Sequence, residues 1–189
     1  MGLDLAFFKI FTIFYLIGSL PFALIVSKVM STRDPRATGS MNPGATNMYR
    51  IAGPLPGLFT FLGDFLKGFI PIFLLVEQDL VTAYLFSSIL LFGHMFSVFN
   101  KFQGGKGVAT SFGFILALNY QIGLSILLIW GLMFILKRIS GLSAIVSFIT
   151  LPLITFYMVD NYEFILVSAV HSFVILINHR KNIREILQR

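Results

Sequence analysis

The chain has no cysteine among its 189 residues, which excludes disulfide staples and thiolate metal sites. It has three histidines, His94, His171 and His179, at no spacing that would gather a metal. It has few charges: 12% of residues are Asp, Glu, Lys or Arg, where a soluble domain carries about a quarter. It also lacks the basic start and small-residue cleavage site of a secretory signal. Met1-Gly2-Leu3-Asp4 leads straight into an apolar run, which reads as a retained span. Ala6 stands where a myristoylation signal needs Ser or Thr.

What is present is apolar. Hydrophobic residues make up 57% of the chain, and the mean hydropathy is +0.88. These values indicate an all-α integral membrane protein, read as a single transmembrane domain over residues 1–189. The 14 Lys and Arg outweigh the 8 Asp and Glu by +6. Because nearly all the charges lie in loops, the excess points to membrane topology and anionic ligands rather than nucleic acid.

Seven apolar runs are long enough, or nearly so, to cross a bilayer: Leu5–Ser27, Pro54–Val76, Leu80–Phe99, Gly107–Tyr120, Ile122–Leu136, Leu142–Val159 and Tyr162–Ile177. Charge alternates between their connections. Lys28, Arg33, Arg36, Arg50, Lys101, Lys106, Lys137, Arg138 and the basic tail fall on one side, 12 of the 14 cations, with Lys9 and Lys67 as exceptions. Asp4, Glu77, Asp79, Asp160 and Glu163 fall on the other. The positive-inside rule then places the N-terminus outside and the C-terminus in the cytoplasm. The fourth and fifth runs are short. A 14-residue helix over Gly107–Tyr120 reaches about 21 Å, against roughly 30 Å of hydrocarbon. Either its cytoplasmic end is recessed into a watery cavity, or the bilayer thins around it.

That recessed end would be Phe102-Gln103-Gly104-Gly105-Lys106-Gly107. Glycines let backbone N–H groups approach a ligand, a helix start leaves its first N–H groups unpaired, and Lys106 adds charge; together these suit a phosphate. It is not a Walker A loop, because Gly107 and not Ser or Thr follows the lysine. A plain inter-helix turn explains the same residues. Upstream, Thr38-Gly39-Ser40-Met41-Asn42-Pro43-Gly44-Ala45-Thr46-Asn47 ends in Arg50 and is dense in neutral donors beside one guanidinium; a polar turn with a helix cap is the plainer account. Asp64 and Lys67, at i,i+3 inside an apolar run, can pair as a structural bridge, and Lys67 is kept as a candidate ligand-binding residue. Pro21 is expected to kink the first run. His179 stands where the last span meets the basic tail Arg180-Lys181-Asn182, as a base, a phosphate donor or part of a lipid-headgroup cluster.

Taken in order, these pieces resemble the acyl-phosphate-dependent glycerol-3-phosphate acyltransferases of bacteria, the PlsY family. The resemblance is carried by Gly18-Ser19-Leu20-Pro21-Phe22, Gly39–Asn47 with Arg50, Gly63-Asp64 with Lys67-Gly68, Gly93-His94-Met95-Phe96, Gly104–Thr110 and His179-Arg180 with Asn182-Ile183. Met41 stands where the family usually has glycine, Ser97 where it usually has proline, and Ala144 where a second serine is common beside Ser140 and Ser143. The resemblance implies acyl transfer from an acyl phosphate to the sn-1 hydroxyl of glycerol 3-phosphate, in a bacterial inner membrane, with no metal or cofactor. Lys106 with Gly104, Gly105 and Gly107 would bind phosphate. Ser40, Asn42, Thr46 and Asn47 would place the acyl phosphate. Arg50, Ser143, His179 and Asn182 would hold glycerol 3-phosphate, with His179 or the substrate's own phosphate as base. The rivals are a transporter or binding protein for a phosphorylated small molecule, and a metal-dependent headgroup transferase. The latter needs an Asp-x-x-Asp pair that the chain lacks.

Overall fold

The computed structural model describes residues 2–77 and 79–188. Among them are ten α-helices and no strand: α1 Gly2–Ser19, α2 Phe22–Val29, α3 Ala45–Ala52, α4 Pro54–Val76, α5 Leu80–Met95, α6 Val108–Leu118, α7 Tyr120–Lys137, α8 Ser140–Met158, α9 Tyr162–Asn178 and α10 Arg180–Leu187. Helices α4, α7 and α8, and α5 with the turn after it, are long and apolar enough to cross a membrane. So are two bent pairs, α1 with α2 at 49° and α9 with α10 at 64°. The chain is a multi-pass helical membrane protein.

The expected runs correspond to helices, with three differences. The first run is broken where Pro21 lacks an N–H. The fourth is shorter still, 11 residues or about 16 Å. The fifth is not short: α7 has 18 residues, because Asn119 ends one helix and caps the next in a single residue, accepting from the Ile122 N–H at 3.0 Å. The short connection expected after the second run, Glu77-Gln78-Asp79, includes Gln78, which lies outside the described residues.

The caps divide the bundle into two unlike faces. Asp79, Asn119 and Asn161 each put a side-chain oxygen on the first turn of α5, α7 and α9, satisfying N–H groups that a helix start leaves open. At the basic face, Gly53, Gly107 and Ile139 begin α4, α6 and α8 with no side-chain cap. The helix ends that carry partial positive charge are thus left open on the side that also holds the cations. Between the faces, Phe86, Phe112, Phe114, Phe148, Ile122 and Leu151 form the core. Helices α4 and α6 touch through glycine: a methyl at Gly68 would sit 2.2 Å from the Thr110 carbonyl oxygen, and one at Gly113 2.1 Å from that of Phe65.

Candidate active site

Two breaks in the chain meet halfway along α4. At the first, between α1 and α2, the freed carbonyl of Leu20 accepts from Lys67 Nζ at 2.7 Å, and the carbonyl of Ser19 accepts from Ser97 Oγ at 2.5 Å. Lys67 Nζ also lies 2.7 Å from Asp64 Oδ1 and 5.8 Å from the centre of the Phe22 ring. Lys67 is therefore tied to the scaffold and buried; it pins the broken helix through partners that belong to the chain itself.

At the second break, between α5 and α6, the glycine loop folds back on the last turn of α5. Gly104 N–H donates to the Met95 carbonyl at 2.9 Å, and Gly105 N–H to that of His94 at 3.3 Å. A methyl at Gly104 would sit 1.8 Å from the His94 carbonyl oxygen, and one at Gly105 2.4 Å from His94 Nε2. These two glycines are thus needed for close packing, and their amides are hydrogen-bonded within the chain. The open donors begin at Lys106. Gly107, at φ +88, turns the chain into α6 without a cap, so the first turn of α6 keeps its unpaired N–H groups. Thr110 packs on Gly68. Counting back three residues from there along α6, Gly107 lies level with about Phe65, roughly 16 Å along α4 from Pro54.

Lys106 reaches outward from there. Its Nζ donates to Asn182 Oδ1 on α10. Asn182 in turn lies over Gly141, where a methyl would come 2.9 Å from its Nδ2. Burial pulls the Lys106 ammonium below its ordinary pKa; Glu185 draws it back up, and Arg50 and Lys181 push it further down. A bound anion would relieve that repulsion. His179, at 2% exposure, donates from Nδ1 to the Ile175 carbonyl at 2.8 Å. A carbonyl only accepts, so the proton sits on Nδ1 and Nε2 keeps its lone pair. Burial pushes His179 down to about 4; the Ile175 hydrogen bond opposes this and the Lys106 charge adds to it. The imidazole is neutral at physiological pH.

The loop between α2 and α3 reaches the same place. The Pro43 carbonyl lies against Gly105, and Arg36 donates to Asn100 Oδ1 at 2.9 Å. Asn47 is buried and fully used within its own loop. Its Nδ2 donates to the carbonyls of Pro35 and Thr38, both at 3.0 Å, and its Oδ1 accepts the Ser40 N–H at 2.9 Å. It shapes the loop and has no donor left for a phosphate. Ser143 is likewise buried with its Oγ donating to the Ile139 carbonyl at 3.1 Å, so it offers only lone pairs. Ser40 and Arg50 are exposed, and Asn42 and Thr46 are half-buried.

Lys106, Asn182, His179 and Arg50 are therefore gathered at one end of the bundle, with Gly107 at their floor. Sequence reading left out Gly141, Asn100 and Glu185, and left His94 undecided. Spacing gives no signal for the first three, because each meets its partner only through the folding of distant helices. His94, beside Gly93 and an aromatic pair, carried a faint one.

The family model for glycerol-3-phosphate acyltransferase matches residues 8–189. The glycerol-3-phosphate acyltransferase of Halorhodospira halophila is 40% identical over 171 residues, 89% of this chain and 87% of that one. That of Endomicrobium trichonymphae is 37% identical over 177 residues, 93% of this chain and 89% of that one. The crystal structure of PlsY, an integral membrane glycerol 3-phosphate acyltransferase, in its glycerol 3-phosphate form is similar with a TM-score of 0.90 and 33% identity, covering 96% of this chain and 92% of that one.

Proposed function

The chain belongs to the glycerol-3-phosphate acyltransferase family, and on that premise we propose that it moves an acyl group from an acyl phosphate to the sn-1 hydroxyl of glycerol 3-phosphate. The observation that carries this reading is Lys106 at the uncapped start of α6, held by Asn182 with the Arg50 and Lys181 charges acting on it. Both substrates and both products carry phosphate, and this end of the bundle offers open helix N-termini and unneutralised cations for it.

The step balances without a further reactant. The glycerol hydroxyl oxygen attacks the acyl carbonyl carbon, and the negative charge that develops on the carbonyl oxygen is met by Lys106 and the first N–H groups of α6. The bond from the carbonyl carbon to the bridging oxygen then breaks, and phosphate leaves with the electron pair. The hydroxyl proton ends on that phosphate. His179 is neutral but too weakly basic, at about 4, to serve well as the acceptor near pH 7. Its Nε2 lone pair instead accepts from the glycerol hydroxyl and aims it. Arg50 and Asn182 hold the glycerol phosphate, and Ser40, Asn42 and Thr46 place the acyl-phosphate head, with Asn47 shaping their loop. Ser143 contributes as an acceptor at the glycerol side.

In the membrane, α1 with α2 forms one crossing and α4 to α9 six more, with the N-terminus outside and α10 on the cytoplasmic surface. The level of Gly107 along α4 supports a recessed site, and the cations gathered on that face support its opening to the cytoplasm; the membrane is read as a bacterial inner membrane from the family. The test is donor choice. Purified protein is given palmitoyl phosphate, palmitoyl-CoA or palmitoyl-ACP with glycerol 3-phosphate. Lysophosphatidic acid from the phosphate donor alone is expected; equal use of a thioester would contradict the reading.

A further inference from the structure

The polar cluster beneath the glycine loop takes no part in the chemistry above. His94 and Asp64 are 7% and 3% exposed, deep in a membrane bundle, where ionisable side chains are costly and kept for a function or a partner. Asp64 has its partner in Lys67. Of the contacts of His94, three end on the chain that carries Lys106. Its Nδ1 is hydrogen-bonded to Thr110 Oγ1, in the first turn of α6, at 3.1 Å. Its carbonyl accepts the Gly105 N–H. Its Nε2 stands directly against Gly105, 2.4 Å from where a methyl would be. From below, Asp64 Oδ1 on α4 lies 3.5 Å from the same Nδ1.

We propose that His94 is a positioning residue for acyl transfer: gripping Gly105 on one side of Lys106 and Thr110 on the other, it sets where the ammonium and the open end of α6 stand. The proposal rests on the phosphate role of Lys106 given above. A loop of glycines has little stiffness of its own, so its pose must come from what it is packed against. Gly105 covers the imidazole, which keeps the ring from the reacting groups and leaves it a mechanical part. The Thr110 hydroxyl is the separable link, because valine has the same shape without the hydrogen bond, whereas serine keeps it.

The experiment compares wild type, Thr110→Val, Thr110→Ser and Gly105→Ala by steady-state kinetics and thermal unfolding. In the same proteins, the rate at which an amine-reactive reagent labels Lys106 is read by mass spectrometry. Thr110→Val is expected to lower kcat by about tenfold or more, as small misplacements of catalytic groups do, with Tm within about 3 °C of wild type. Labelling of Lys106 should change severalfold. Thr110→Ser is expected to recover most of the loss on both readouts. Gly105→Ala, which pushes the loop off the ring from the other side, should show the same signs. A folded Thr110→Val within about twofold of wild type on both readouts would overturn the proposal. So would equal defects in the Val and Ser variants. If Thr110→Val fails to fold, Gly105→Ala decides alone, and normal kinetics and labelling there overturn the proposal. If wild type makes no product, the functional reading fails, while the labelling readout still judges the role of His94.

Discussion

The Lys67 ammonium donates to the carbonyl of Leu20 across 2.7 Å, so a side chain in the middle of α4 closes the break between α1 and α2. The same ammonium neutralises Asp64. Asp64 is buried and has no water to fall back on in a bundle interior. Lys67→Met would leave a buried carboxylate without its cation and the Leu20 carbonyl with only the Phe22 N–H, at 3.2 Å, and is expected to cost about 3–5 kcal/mol. Thermal unfolding in detergent checks this. Adding Asp64→Asn should recover part of the loss, since it removes the stranded charge; a single variant as stable as wild type would show the contact to be idle.

Asn182 is the sole side chain among the described residues that accepts a hydrogen bond from Lys106. It sits on α10, and Gly141 makes room for it. Asn182→Ala removes the acceptor without touching the bundle core. It is expected to lower kcat/KM by about tenfold or more while Tm stays close to wild type. A large drop in Tm with unchanged kcat/KM would place Asn182 in folding and not in the site.

His179 gives a pH dependence with a definite sign. Its folded value, about 4, lies below its ordinary 6.5, so the folded protein resists protonation there. Its contribution to stability is complete above about pH 6.5 and is lost as pH falls toward about 4, to the extent of roughly 3 kcal/mol. Unfolding measured at several pH values should show wild type losing stability across that window more steeply than His179→Asn. The kinetic counterpart follows from the aiming role: His179→Asn should raise KM for glycerol 3-phosphate by more than it lowers kcat. A lost kcat at unchanged KM would instead make His179 the base.

Met41 stands at φ +55, in the left-handed region that costs a side chain about 1–2 kcal/mol and glycine almost nothing. That is a physical reason for the glycine usual at this position of the family. Met41 is also largely exposed, so little packing is lost by removing it. Met41→Gly is expected to slow proteolysis of the loop between α2 and α3 and to raise Tm slightly. Faster cleavage would mean that the added chain freedom outweighs the relieved strain.

How much of this could be read beforehand depends on the range of the interactions. The long spans were legible because each is a local property: Pro54–Val76 is α4 residue for residue, and Pro21 breaks its helix as proline chemistry requires. The gathering of Lys106, Arg50, His179 and Asn182 was legible through motif resemblance. Helices α3 and α10 were not, since eight residues are too few to stand out by periodicity. The use of the Gly104 and Gly105 amides was hidden as well: glycine marks a close approach in sequence but not whether the approaching atom belongs to a ligand or, as here, to the carbonyls of His94 and Met95. The internal partners of Asn47 and Lys67 were hidden in the same way, because a polar side chain advertises hydrogen bonds without naming the partner.

The most direct measurement follows inorganic phosphate and lysophosphatidic acid together in purified protein given palmitoyl phosphate and glycerol 3-phosphate, with Lys106→Ala alongside. The account predicts that the two products rise in equal amounts in wild type and that both fall by about a hundredfold or more in the variant, as when a donor to a developing oxyanion is removed. Phosphate release without lysophosphatidic acid, or a Lys106→Ala protein as active as wild type, would contradict it.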